Sequence, residues 1–103
     1  MAGEAQVSIV EIYNHIVEIR GQFCELCGAV KGTELHHCLY HRSKQHPELD
    51  CPQNLELLCK ACHHKGVVNS WAHRVAFYKK QDDIYDMEAW NNSLPLKHKE
   101  KFT

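Results

Sequence analysis

The sequence predicts a small α+β domain, on three observations. Apolar residues recur at helical spacing over residues 4–20, and a second helix-like pattern covers residues 70–81. Between them lie two short segments rich in β-favouring residues, 33–40 and 55–58. The chain has 103 residues, the length of a single domain with a thin core, and its six cysteines could supply metal ligands that supplement that core.

The N-terminal helix is predicted over residues 4–20 and is expected to stop at Gly21. Its apolar stripe recurs at three- and four-residue steps: Ile9, Ile12, Ile16 and Ile19, widened by Val10, Tyr13 and Val17. This stripe is broad for a surface helix. We expect it to pack on the rest of the domain, with pairing in a homodimer as the alternative.

The middle of the chain, about residues 22–66, is expected to form a hairpin followed by a helix. Residues 33–40 and 55–58 are the two predicted strands, joined by a polar loop. A helix is expected to open at Cys59 and to end at Gly66, or to continue towards Asn69.

The C-terminal extension, residues 70–103, is expected to be helical and to end in a charged tail. Ser70 is the predicted N-cap of a helix over residues 70–81, and a further helical turn is expected over residues 86–92. Three residues of the first helix are expected in the core: Trp71, Val75 and Tyr78. The tail, residues 97–101, is expected to be mobile.

The expected location is the cytoplasm. The chain has no apolar run of about 20 residues that could span a membrane. Its first residues, Met-Ala-Gly-Glu-Ala, lack the basic and apolar regions of a signal peptide. In a reducing compartment, paired cysteines are metal ligands more often than disulfides.

Four cysteines form two CxxC pairs: Cys24, Cys27, Cys59 and Cys62. Two thiolates separated by two residues can meet one ion, and four thiolates are a standard ligand set for structural zinc. A closed site of this kind has no open position for water or substrate, so its zinc is expected to be structural. Cys38 and Cys51 fall outside the pattern and are expected to be ordinary small side chains.

Several motifs stand in a specific order within residues 22–66. They are Cys24-Glu-Leu-Cys27-Gly28, Leu35-His36-His37, Asn54-Leu55 and Cys59-Lys-Ala-Cys62-His63. Together they resemble the HNH endonuclease family, in its branch with a four-cysteine zinc site. The resemblance implies a ββα-metal, treble-clef-like fold in which a hairpin, a loop and a helix grip one divalent ion. The loop text from His41 to Asp50 also resembles members encoded by phages, which would place the protein in a bacterial host cell.

The resemblance implies a role for each motif residue. His37 would be the general base, because an imidazole can take a proton from water. His63 would be a metal ligand, and His36 takes the position of a second ligand. The ion would act as a Lewis acid on the phosphate and the leaving 3′ oxygen. Asn54 would orient His37 by hydrogen-bonding backbone, and the products would carry 5′-phosphate and 3′-hydroxyl ends.

The chain departs from the family pattern at Val67, where some members have a third histidine ligand. A site with two imidazoles and open positions suits Mg²⁺ or Mn²⁺, and also Ni²⁺, Co²⁺ or Zn²⁺. His41 and His64 are less favoured as further ligands. Adjacent strand residues point to opposite faces, so His36 and His37 can serve one phosphate only if the strand twists or bulges, or if DNA lies between them.

The formal net charge is −1 with neutral histidines, so DNA binding would depend on local arrangement and would be weak and sensitive to salt. The candidate phosphate contacts are Arg42, Lys44, Lys60 and Lys65. The leading hypothesis is a metal-dependent DNA endonuclease of low sequence specificity that nicks or cuts both strands. The alternatives are a non-catalytic zinc module that binds DNA or protein, and an accessory nuclease that needs a phage or host partner, such as a packaging or recombination protein.

Overall fold

The N-terminal helix α1 covers Ile9–Arg20 in the computed structural model, which describes residues 8–102. The predicted beginning of this helix, residues 4–7, lies outside the described residues. Ser8 and Glu11 form a capping box, in which each side chain accepts the other residue's backbone N–H. Gly21 ends the helix with φ 95°, as the sequence predicts.

Two strands form an antiparallel sheet, which confirms the predicted hairpin. Strand β1 covers Glu34–His37 and pairs with strand β2, Leu55–Leu58. Strand β1 is shorter than predicted because the backbone N–H groups of residues 39 and 40 donate to the side chain of Asn54 instead of to a partner strand.

One face of the sheet packs on α1. Leu55 and Leu57 alternate with Glu56 along β2, and both leucines are buried against Ile12 and Ile16. The predicted packing of the apolar stripe is therefore confirmed. Its outer edge stays exposed at three positions: Ile9, Val10 and Ile19.

Arg20, the last residue of α1, joins the helix to the rest of the domain. Its guanidinium donates to the carboxylate of Glu25 at 2.8 and 3.1 Å and to the carbonyl oxygens of Pro52 and Leu55 at 2.8 and 2.6 Å. Glu25 in turn accepts the backbone N–H of Leu57 at 2.8 Å. These additional hydrogen bonds offset the cost of burying the two charges.

Three helices follow the sheet. Helix α2 covers Lys60–His63, ends before Gly66, and is followed by a 3₁₀ turn over Gly66–Asn69. Helix α3 covers Trp71–Gln81 with Ser70 as its N-cap, and helix α4 covers Met87–Ser93, both as predicted. Within the described part of the chain, no helix has the length and apolar content needed to cross a bilayer.

The end of the chain packs against α3. Phe102 is 1% exposed and stacks on Trp71 and on Tyr78, with ring centroids 5.4 Å apart in each case. Tyr78 is buried as predicted, whereas Trp71 is 48% exposed and the prediction of a core position was wrong for it. In the tail before Phe102, the backbone N–H of Glu100 donates to the Tyr40 hydroxyl at 2.9 Å.

Candidate metal centres

The two CxxC pairs meet in space. The Sγ atoms of the four cysteines all lie within 4.8 Å of one another: Cys24, Cys27, Cys59 and Cys62. The first pair lies on a turn closed by Gly28, which has φ 66°, a conformation that glycine adopts without strain. The second pair brackets the start of α2. This arrangement can hold a structural metal ion such as zinc, which binds four thiolates tetrahedrally.

Electrostatics within this four-cysteine cluster favours a cation. Burial opposes ionisation of Cys24, but backbone hydrogen bonds from Cys27, Cys59 and Leu26 outweigh it and lower the pKa of Cys24 to about 6. Burial, with the neighbouring thiols, raises the pKa of Cys62 to about 12. The neighbouring thiols thus oppose ionisation of Cys62, and a divalent ion bound to the cluster would displace its proton.

A second group of side chains borders an open cleft of about 330 Å³ beside the sheet. Its lining consists of Leu35, His36, His37, His41, Arg42, His63 and Asn69. His36 and His37 are adjacent on β1, yet both border this cleft. The structure thus brings the proposed base and both proposed ligands to one place, which strand alternation alone did not guarantee.

His36 is held by a backbone carbonyl. Its Nε2 lies 3.1 Å from the carbonyl oxygen of Val68 and donates its hydrogen there, which leaves Nδ1 with a lone pair. The ring is 7% exposed, and burial lowers the pKa of His36. The imidazole is therefore neutral at physiological pH, the form that binds metals.

His63 is held by a carboxylate. Its Nδ1 lies 2.7 Å from Glu34 Oε1, which leaves Nε2 for a ligand role. The ring centroids of His63 and His36 are 5.1 Å apart. The two rings meet edge-on, with an interplanar angle of 61°.

His37 is paired with Asp50, a residue that sequence reasoning did not single out. The Nε2 atom of His37 lies 2.7 Å from Asp50 Oδ1, so the ring donates there and Nδ1 is left as a proton acceptor. The two residues are 13 positions apart across an irregular loop. No spacing rule connects them, and only the path of the loop brings them together.

Asn54 makes the backbone hydrogen bonds expected of it. Its Oδ1 accepts the N–H groups of Leu39 and Tyr40 at 3.0 and 2.8 Å, and its Nδ2 donates to the carbonyl oxygens of Tyr40 and Leu49 at 2.9 and 3.0 Å. The side chain is fully buried. Asn54 therefore fixes both ends of the loop that carries Asp50.

The predicted phosphate contacts are spread over the surface. Arg42 lines the cleft, whereas Lys44, Lys60 and Lys65 are exposed outside its lining. His41 also lines the cleft, and the ring of His64 lies 5.9 Å from that of His63. Of the four predicted phosphate contacts, Arg42 is therefore the one that lines the cleft.

A third group lies buried under the sheet and was not foreseen. One nitrogen of His36, Cys38 Sγ and one oxygen of Glu56 all lie within 4.8 Å of one another. Cys38, expected to be an ordinary small side chain, therefore has two further potential metal ligands beside it. The signal in the sequence was the two-residue step from His36 to Cys38, which places both on one strand face, but the partner Glu56 depends on the strand register.

Comparisons of the chain with protein-family models, with curated proteins and with solved structures find no match. The case for a function therefore depends on the chemistry of these centres.

Proposed function

We propose that the protein is a metal-dependent endonuclease of the HNH type, which hydrolyses phosphodiester bonds in DNA with little sequence preference. The observation that carries the proposal is the convergence of His36, His37 and His63 on one open cleft. In each ring one nitrogen bonds a fixed acceptor, and the other is left for chemistry.

His36 and His63 would hold the catalytic ion. Metal-binding histidines almost always donate their second ring N–H to a carboxylate or a carbonyl, and here Glu34 and the Val68 carbonyl accept those hydrogens. With two protein nitrogens and open positions, the site suits Mg²⁺ or Mn²⁺, and also Ni²⁺, Co²⁺ or Zn²⁺. When bound, the ion would stabilise charge on the scissile phosphate and on the leaving 3′ oxygen.

His37 would be the general base. Its Nδ1 takes a proton from a water molecule, whose oxygen attacks phosphorus as the bond to the 3′ oxygen breaks. The Asp50 carboxylate keeps the ring in the tautomer that leaves Nδ1 unprotonated, and it faces the imidazolium that forms. The departing 3′ oxygen takes a proton from solvent, so the products carry 5′-phosphate and 3′-hydroxyl ends.

Asn54 and the four-cysteine cluster would position these groups. Asn54 holds the loop that carries Asp50, and Asp50 holds His37. Cys62 immediately precedes His63, so zinc bound to the cysteines would fix the helix that presents His63 to the cleft.

A second candidate function is a zinc module, or a nuclease active only beside a partner protein. The net charge of −1 and the lysines outside the cleft favour it, because a nuclease that binds DNA unaided usually gains affinity from an excess of basic residues. Exposed apolar side chains on α1, such as Val10 at 63%, could meet that partner.

The test is cleavage of supercoiled plasmid by the wild-type protein with Mg²⁺, Mn²⁺, Ni²⁺ or Zn²⁺. Cleavage is expected to need a metal and to be lost in His37→Ala. His46→Ala is the matched control: His46 lies in the same loop, bonds Glu48 and does not line the cleft, so cleavage should persist. No cleavage by wild type with any metal, or full activity in His37→Ala, would contradict the proposal.

A further inference from the structure

The polar face of the sheet buries three side chains that carry different metal-binding atoms. His36 and Cys38 lie two residues apart on the same side, and Glu56 is the partner of His36 across the β1–β2 ladder. The three residues are 7%, 4% and 2% exposed. We name this group the buried triad, and its three ligand atoms all lie within 4.8 Å of one another.

The surroundings of the buried triad already orient two of its members. His36 donates Nε2–H to the Val68 carbonyl at 3.1 Å. Glu56 accepts from His73 Nε2, which lies 2.8 and 3.0 Å from its two oxygens. Metal sites in proteins use such contacts to fix the direction of imidazole and carboxylate ligands.

The chemistry of the three atoms selects the ion. An imidazole, a thiolate and a carboxylate form a mixed nitrogen, sulfur and oxygen set, which suits Zn²⁺ or Co²⁺ and not the oxygen-seeking Mg²⁺. The thiolate and the carboxylate together balance a divalent charge, so the buried site would carry no net charge apart from His73. On binding, the Cys38 thiol gives its proton to solvent and the sulfur bonds the ion.

We propose that the buried triad of His36, Cys38 and Glu56 is a zinc-binding site distinct from the four-cysteine cluster. His36 belongs to both the triad and the open cleft. Because its Nε2 is bonded to Val68, only Nδ1 can bind metal, and one ion excludes the other. If the proposed nuclease function holds, zinc in the triad removes His36 from the pair with His63 and inhibits cleavage.

The test is a Co²⁺ titration of the full chain after its four cysteines have been filled with one equivalent of zinc. Bound Co²⁺ is followed by the charge-transfer absorption that only a thiolate ligand produces. The wild-type protein should gain this band and saturate at one further ion per chain. Cys38→Ser should lose the band, whereas the matched control Cys51→Ser should keep it.

The outcomes separate the two proposals, since the measurement does not depend on cleavage. A band that is absent from wild type, or that persists unchanged in Cys38→Ser, overturns the buried site whatever the nuclease assay shows. Circular dichroism checks that Cys38→Ser is folded. If it is not, Glu56→Gln decides: Co²⁺ binding weaker by about tenfold or more supports the site, and unchanged binding overturns it.

Discussion

Glu34 Oε1 accepts a hydrogen bond from His63 Nδ1 at 2.7 Å, so the first residue of β1 orients the last residue of α2. The same strand carries His36 two residues further on. One strand therefore supplies one proposed ligand and the orientation of the other. This relationship makes the position of the cleft histidines a property of the hairpin as much as of the helix.

Replacing Glu34 with Ala is expected to weaken divalent metal binding at the cleft by about 10- to 100-fold, because His63 loses the group that fixes its ring. Glu34→Gln should lose less, since its amide oxygen can still accept the His63 N–H. Calorimetric titration of the zinc-loaded protein with Mn²⁺ or Ni²⁺ measures the effect. Glu48→Ala, which removes a carboxylate bonded to His46 outside the cleft, is the matched control. Equal affinities in Glu34→Ala and wild type would exclude this role.

Replacing Asp50 with Asn is expected to lower kcat for plasmid cleavage with little change in KM, because an amide can hold the His37 ring in the wrong tautomer. The loss should be smaller than the roughly 10²- to 10⁴-fold expected on removing a general base by His37→Ala. Steady-state rates over a range of pH distinguish the two variants. A change confined to KM would instead assign Asp50 to DNA binding.

Removing the metal from the four-cysteine cluster is expected to unfold the region around α2. A strong chelator should therefore reduce the helical circular dichroism, and returning zinc should restore it. Protons should be released at the same time, because cysteine thiols lose their protons when they bind the ion. Cys27→Ser should reproduce the effect of chelation, while Cys51→Ser should not. A chelated protein with unchanged dichroism and thermal stability would show that the cluster is not needed for folding.

His73→Ala is expected to lower the free energy of unfolding by about 1–3 kcal/mol, because it leaves the buried Glu56 carboxylate without its partner. Burial already raises the pKa of Glu56. A carboxyl with a raised folded pKa stabilises the fold at low pH, and this contribution is lost as pH rises through that pKa. The variant should therefore lose more stability at neutral than at mildly acidic pH. Urea unfolding at both conditions measures this, and a pH-independent loss would contradict it.

Gly32→Ala is expected to destabilise the protein by about 1–3 kcal/mol through overpacking. A Cβ at this position would overlap the side chain of Leu57, which is fully buried against α1 and has little room to move. Gly66→Ala is the control, since nothing lies within 4 Å of its Cβ position. Thermal unfolding of the two variants tests the prediction, and equal melting temperatures would refute it.

The sequence predicted the elements and the four-cysteine cluster because their signals are local. A capping serine, an apolar helical stripe and a CxxC pair can each be recognised from residues that lie close together in the sequence. Asn54 and the histidines could be singled out by motif order. The partners of those histidines could not, because Glu34, Asp50 and the Val68 carbonyl reach them across 29, 13 and 32 residues.

The surroundings of Trp71 and Cys38 also depend on contacts between distant parts of the chain. Trp71 has the apolar character of a core residue, but its ring lies at the surface, stacked on Phe102 and with the Arg74 guanidinium over it. Cys38 falls outside the CxxC pattern, and its surroundings depend on which residue of β2 lies opposite His36. A pattern that spans a few residues does not predict contacts that depend on strand register or on packing of a distant segment.

Arg20 couples the docking of α1 on the sheet to the conformation of the first cysteine turn. Its guanidinium is buried among the helix α1, the Glu25 carboxylate of the first cysteine turn and the carbonyl oxygens beside β2. If the turn opened and withdrew Glu25, the buried Arg20 guanidinium would be left unpaired. The packing of α1 on the sheet would then be destabilised. The amide hydrogens of α1 and of the cysteine turn should then exchange with solvent through one common opening, and an ion bound to the cysteines would slow exchange in a helix that it does not contact.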